Sequence, residues 1–202
     1  MTPIENDSYH HGNLRQALLD AAVRTLKNHS VEQLSLRALA REAGVSQTAP
    51  YRHFKDKHQL LAELATQGFD ELTEALLADR QPEDNTAQAM SACGRGYLRF
   101  ALNNPEKYRL MFGKGMHDRT LYPELEASGM RAFGVLQEWV TRGIENDELD
   151  ASDPELTAYH VWACVHGLAS LIMDGKSHCS DQESVEQLVE ANLGMIKQRL
   201  LK

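Results

Sequence analysis

Apolar side chains recur along the chain at helical spacing. Leu14, Ala17, Leu18, Ala21 and Ala22 fall at i, i+3, i+4, i+7 and i+8, with Arg15, Gln16 and Asp20 on the other side, which predicts an amphipathic first helix. Leu36, Leu39, Ala40 and Ala43 make a short second stripe that starts after Ser35, a good N-cap, and stops at Gly44, a good C′ residue. Ser46 offers another N-cap for a third helix over residues 47–54, and Asp56 with Gln59 three residues on predicts a capping box that opens a long fourth. The fourth stripe, Leu61, Leu64, Ala65, Gly68, Leu72, Ala75 and Leu76, is expected to end near Gln81 and Pro82.

Met90, Cys93, Gly94, Tyr97 and Ala101 define a fifth helix ended at Asn103 and Asn104; Asn104-Pro105-Glu106 then reads as a cap, a Pro at N1 and a first-turn acid opening a short sixth. Residues 112–121, with two glycines and mixed charge, read as a connection. Leu125, Gly129, Ala132, Phe133, Leu136, Val140 and Ile144 give a seventh helix, and Asp153-Pro154-Glu155 opens an eighth that is apolar nearly all round from Tyr159 to Met173. Ser180 with Glu183 suggests a capping box for a ninth, carrying Val185, Leu188, Val189, Asn192, Ile196 and Leu200. No segment alternates in the manner of a half-buried strand, and Leu and Ala number 49 against 13 for Val and Ile. The expected fold is all-α with about nine helices.

Composition sharpens this. The chain has 202 residues, 42% hydrophobic and 25% charged, which excludes disorder and fibrous repeats. The most apolar run, residues 161–173, holds His166, Gly167 and Ser170 and is shorter than the ~20 residues a membrane span needs, so it reads as a buried helix with no membrane partner. Residues 1–12 lack the apolar core of a secretory signal, and three scattered cysteines with no CxxC suit a reducing interior, so the expected compartment is the cytoplasm. The net charge of -8 hides a division: residues 1–60 carry 8 Lys and Arg against 6 Asp and Glu, whereas residues 61–202 carry 13 against 23. A slightly basic head on an acidic body is the asymmetry expected when one end meets an anion.

The tightest signal lies in that head. From Leu36 to Phe54 the spacing is that of a helix-turn-helix: a tiny residue where two helices touch (Ala40), a glycine able to take positive φ at the turn (Gly44), and apolar staples at Leu39, Val45 and Phe54. The second helix of such a corner can enter the major groove of duplex DNA. Lys57 would sit in the first turn of the fourth helix, where the dipole disfavours a cation unless an anion such as phosphate faces it.

Taken together, Ala40, Ala43-Gly44-Val45-Ser46, Tyr51-Arg52-His53-Phe54, Lys57 and Leu60-Leu61 resemble the TetR/AcrR family of bacterial transcriptional regulators, over about a quarter of the chain. The resemblance implies a three-helix DNA-binding domain at residues 9–58, its helix-turn-helix at about 35–54, joined by the long fourth helix to an effector-binding and dimerisation domain at 59–202. It places Gln47, Thr48 and Arg52 as base-edge readers and Tyr51, His53 and Lys57 on the phosphate backbone, with Ser46 and Arg37 beside them. Gln47 has the chemistry to pair with adenine and Arg52 with guanine. Ala49-Pro50 departs from the family, which usually has a hydroxyl or small residue followed by Leu or Ile; Pro50 removes a backbone donor and presses on the carbonyl four residues back, delaying or bending the third helix.

In the body, residues 104–112 followed by Trp162, His166 and Gly167 resemble the subgroup whose effector domain is named for its Trp, His and Gly, which implies a ligand cavity among helices four to eight. Tyr97, Phe100, Tyr108, Met111 and Phe112, with Phe133, Trp139, Trp162 and His166, are the pocket candidates; plain core is the alternative for each. Ala163, Gly167 and Ser170 give the eighth helix a ridge of small residues which, with Leu188, Asn192 and Ile196, would form a four-helix dimer seam. No Cys/His quartet with zinc spacing, Walker motif or nucleophile motif gives catalysis or a cofactor an anchor. The expected function is a ligand-responsive repressor that binds a palindromic operator as a homodimer and is released by a small molecule. The rivals are an interaction module that keeps the head fold without reading DNA, and an unrecognised enzyme.

Overall fold

The computed structural model describes residues 14–81, 83–113 and 119–202. They form eight α-helices: α1 (Leu14–Leu26), α2 (Leu36–Glu42), α3 (Lys57–Leu77), α4 (Thr86–Asn103), α5 (Pro105–Phe112), α6 (Pro123–Glu145), α7 (Pro154–Met173) and α8 (Gln182–Leu200). Short 3₁₀ turns lie at Val31–Gln33, Ala49–Arg52 and Arg119–Leu121. The fold is all-α, one α-helix short of the expected nine, because the third expected helix is the 3₁₀ turn Ala49–Arg52. Residues 9–13, at the start of the expected DNA-binding domain, lie outside the described residues, as does Pro82.

The chain divides into two compact units, one running through Ala65 and including residues 106–123, the other comprising residues 66–105 and 124–202. In the first, α1, α2 and the Ala49–Arg52 turn pack on one another around Leu18, Leu19, Leu39, Ala40, Phe54, Leu60 and Leu61, each at most 1% exposed. Arg15 pairs with Glu63 at 2.5 Å and lies over the Phe54 ring at 5.6 Å; Arg24 pairs with Glu42 at 2.9 Å. These bonds tie α1 to the start of α3 and to the end of α2.

In the second unit α4 is the central rod, packed against α7 and α8 and buried on most of its circumference. Small residues permit this. A Cβ on Gly96 would stand 2.1 Å from the Ala75 carbonyl oxygen, so the backbones of α3 and α4 come into direct contact there. Cys93 beside it is buried and donates to the Leu76 carbonyl oxygen at 3.4 Å; burial pushes its thiol up to about 11, so it stays protonated.

Two element ends and the burial of one helix differ from expectation. α3 stops at Leu77 rather than near Gln81, because Gln81 N–H donates to the Asp84 carboxylate and the chain turns into a capping box at Asn85 and Gln88 that starts α4 at Thr86. α8 is capped by Asp181 with Ser184, not by Ser180 with Glu183; an aspartate oxygen accepts the Ser184 N–H at 2.8 Å, and Ser180 bonds to that same aspartate. The apolar α7, expected to be buried, has the length and apolarity of a membrane-crossing helix and yet packs one face on α4 and α8 while Leu156, Tyr159 and Leu171 stay about half to two-thirds exposed.

Replacing Gly96 by alanine should therefore destabilise the protein by about 1–3 kcal/mol or more, since the obstructing atoms are backbone and cannot rotate away. Urea denaturation followed by circular dichroism checks this; an unchanged midpoint would mean that α3 and α4 are not in close contact.

Candidate nucleic-acid interface and aromatic cluster

The corner in the first unit begins with α2. Ser35 accepts the Ala38 N–H at 3.2 Å and starts the helix. At its end Gly44 takes φ +70°, and the N–H groups of Gly44 and Val45 return to the carbonyls of Arg41 and Ala40. This is a Schellman stop, which an L side chain resists.

Beyond it Ser46 is no helix cap. Its carbonyl accepts from Ala49 at 3.0 Å and its hydroxyl lies 3.3 Å from that of Thr48. The segment then closes as a 3₁₀ turn, Tyr51 N–H to the Thr48 carbonyl and His53 N–H to Pro50. Pro50 and Phe54 are buried, and between and before them Ser46, Gln47, Thr48, Tyr51, Arg52 and His53 are exposed. Arg37, on α2, is exposed as well. Two buried anchors thus hold six polar or cationic side chains outward.

Lys57 departs from the sequence argument in its surroundings. Its Nζ donates to the carbonyls of Val31 at 3.2 Å and Glu32 at 3.4 Å, and the helix end beside it is served by Asp56, whose carboxylate accepts the Gln59 N–H at 2.9 Å. The Gln59 side chain reaches back to Lys55 N–H rather than to Asp56, one residue beyond the expected box. An anion from outside is thus not needed to account for a cation there. An ammonium has three donors, and two carbonyls leave one for another acceptor.

The pocket candidates separate. Tyr108, Met111 and Phe112 lie on α5 in the first unit, with the Tyr108 and Phe112 rings 4.8 Å apart. Tyr97, Phe133, Trp162 and His166 meet in the second. The Tyr97 hydroxyl is 2.8 Å from His166 Nδ1, and Trp162 Nε1–H donates to the Tyr97 oxygen at 3.3 Å. The Phe133 ring stands 6.0 Å from Trp162, and Trp162 5.4 Å from His166. Phe100 is buried on α4.

Tyr159, outside the candidate set, extends this row at 4.7 Å from Phe133; its i, i+3 and i+7 spacing with Trp162 and His166 was the available signal. Trp139 belongs elsewhere, between the guanidinium groups of Arg80 at 4.6 Å and Arg142 at 5.0 Å. Of the dimer candidates, Ala163 is exposed, Gly167 has open space where a Cβ would go, Ser170, Leu188 and Asn192 are half-buried, and Ile196 is buried in its own unit.

A corner with an outward-facing second arm defines a helix-turn-helix protein, and comparison with known proteins gives the family. Residues 18–64 match the model of bacterial regulatory proteins of the tetR family, and residues 90–196 match that of the tetracyclin repressor-like C-terminal domain. The HTH-type transcriptional regulator Rv1816 of Mycobacterium tuberculosis is 26% identical over 141 residues, a match covering 67% of this chain and 59% of that protein's length. A solved protein of unknown function from Rhodococcus sp. RHA1 is 32% identical, with a TM-score of 0.84 over 98% of this chain and 100% of its own. PfmR of Thermus thermophilus, a TetR family transcriptional regulator, shares the fold at 18% identity, with a TM-score of 0.72 over 90% of this chain and 97% of its own. The chain belongs to the TetR family.

Burial holds the His166 pKa below that of a free imidazole. A depressed folded-state value means that the unfolded chain takes up the proton first, so the neutral ring's contribution is present above about 6.5 and fades as pH falls toward the folded value. The stability advantage of the native protein over His166→Gln should accordingly shrink from pH 7.5 to pH 5, as read from urea midpoints at both. An advantage that grows on acidification would show the ring to be charged in the folded protein.

Proposed function

We propose that the protein is a DNA-binding transcriptional repressor that holds a palindromic operator as a homodimer and releases it when a small molecule binds. The observation that carries this reading is the exposed edge Ser46, Gln47, Thr48, Tyr51, Arg52 and His53, held outward from the Gly44 corner by Pro50 and Phe54. Gln47, Thr48 and Arg52 read base edges, Arg52 bidentately on guanine; Tyr51, His53 and the remaining donor of Lys57 bind phosphate, with Arg37 adding charge on α2.

Two such edges need a two-fold partner, and the open face of α7 supplies it. Leu156, Tyr159 and Leu171 are exposed along one helix with Ala163 and Gly167 between them, and Met195 on α8 is 71% exposed. Apolar and small residues in that order allow close helix approach across a dimer seam. The aromatic row from Tyr97 to Tyr159 is the effector wall, its polar heads bonded to one another. A coupling of about 1–3 kcal/mol between effector and operator would change DNA affinity some 5- to 150-fold.

Duplexes selected by the full-length protein from a randomised pool test the reading. Arg52→Ala should weaken binding to the selected duplex by about 1–3 kcal/mol and relax one position, whereas Lys57→Gln should weaken all duplexes alike and lower the salt slope by about 1. If no duplex is retained at low salt, the protein does not read DNA.

The seam has its own test. Gly167→Glu places a charge where the protomer itself offers open space, so sedimentation velocity should show a monomer with unchanged helicity. A persistent dimer would move the interface elsewhere.

A further inference from the structure

We propose that Pro50 is a specificity-determining positioning residue: by holding residues 49–52 as a 3₁₀ turn it turns Arg52 away from Thr48 and so sets which base of the half-site Arg52 meets. The proposal rests on the DNA-binding reading above.

Position 50 lacks a backbone donor. In an α-helix starting at Ser46, the N–H of residue 50 would close the first full turn onto the Ser46 carbonyl. Proline has no such N–H, and its ring would crowd that carbonyl. The Ser46 carbonyl instead accepts from Ala49 at 3.0 Å, and the following bonds run Tyr51 to Thr48 at 3.3 Å and His53 to Pro50 at 2.9 Å, each three residues back; only past residue 52, where the turn ends, does a bond run four back, from Phe54 to the same Pro50 carbonyl at 2.9 Å. Thr48 already has near-helical backbone angles, φ -92° and ψ -17°, so the tight winding includes it. Pro50 is buried and Phe54 is 1% exposed, so the segment is anchored at both residues. Rotation of the whole turn cannot compensate for the change in winding.

Winding fixes where side chains point. An α-helix advances about 100° per residue, which places residues 48 and 52 only about 40° apart on one face. A 3₁₀ turn advances about 120°, which stacks Tyr51 over Thr48 and swings Arg52 about 120° away, with about 2 Å of extra rise over the four residues. Base pairs are 3.4 Å apart along the duplex axis, on the order of that combined displacement. Tyr51, 50% exposed, then shares a line with Thr48, while Arg52 reaches the groove from the neighbouring line. Restoring the N–H at position 50 permits the α-turn and would return Arg52 to the Thr48 face.

The experiment compares the full-length wild type with Pro50→Leu, which keeps apolar bulk at the buried site, and Pro50→Ala, which keeps only the restored donor. Duplexes bound by each are selected from one randomised pool at fixed salt, with melting curves and helicity recorded. The expected result is a half-site altered at one or two positions, with preference between the wild-type and altered half-sites shifted at least tenfold, the salt slope unchanged and melting still cooperative. A second readout locates the cause: Arg52→Ala should relax one position in the wild-type background and a different one in the Pro50→Leu background. Half-sites that agree, with relative affinities within twofold in both variants, overturn the proposal and leave the DNA-binding reading standing. A wild type that selects no duplex overturns both. A uniform loss of affinity with an unchanged sequence preference shows a merely structural role and also overturns the proposal; where Pro50→Leu melts early, Pro50→Ala decides.

Discussion

The left-handed backbone at Gly44 is the constraint on which the candidate interface depends. α2 is only seven residues long and has to stop so that the chain can fold back over Leu39 and Ala40. The stop is made by two hydrogen bonds, from Gly44 to Arg41 and from Val45 to Ala40, that form only when residue 44 has positive φ. Nothing lies within 4 Å of where a Cβ would be, so packing does not demand glycine there; the torsion alone does. Any L residue would carry a cost of roughly 1–2 kcal/mol.

Much of the first unit was legible because its signals are local. Ser35 as cap, Gly44 as stop, Ala40 as the small residue at the helix contact and Leu39 and Phe54 as staples are each a residue type tied to one backbone or burial requirement and each occupies the expected place, while Val45, the third expected staple, is only half-buried. The nature of the third element was half legible. Pro50 announced that the α-helix would be disturbed, but whether it bends, starts late or winds tighter depends on burial of Pro50 against the unit's core, which periodicity does not contain. The expected capping box at Ser180 was off by one residue because serine and aspartate are both good caps, and the deciding bond, Ser184 N–H to an Asp181 oxygen at 2.8 Å, belongs to the folded geometry. The box at Asn85 and Gln88 was present in the sequence and starts α4 a full turn before its first apolar residue in the stripe.

In the second unit the helix-forming pattern was readable and the allocation of aromatic residues was not. Periodicity puts Phe133 and Trp139 on the same helix with similar standing as pocket candidates. The structure sends one to Trp162 and Tyr159 and the other to Arg80 and Arg142. Six residues along a helix rotate a side chain through about 600°, so the two point to different sides, and only the neighbours determine what each side meets. Neighbours also decide the burial of α7. A helix apolar on nearly every side reads as fully buried, yet α4 and α8 cover only part of it, and sequence alone does not say how many partners are within one chain.

In the first unit two arginines are bound to carboxylates, Arg15 to Glu63 and Arg24 to Glu42, and both bonds hold elements of the unit together. Among the described residues no carboxylate pairs with Arg37 or Arg52, and both are exposed with His53 and Lys55. Among the described residues the head's small surplus of positive charge is therefore concentrated where no acid neutralises it, whereas in the second unit arginines such as Arg95, Arg99 and Arg131 are matched by acids. An unneutralised cationic edge carries a small cost in self-repulsion. In the proposed complex a duplex, with one phosphate charge about every 1.7 Å of axis, would offset it through the counterions released on contact. That balance is why a chain with a net charge of -8 is compatible with a nucleic-acid partner at one end.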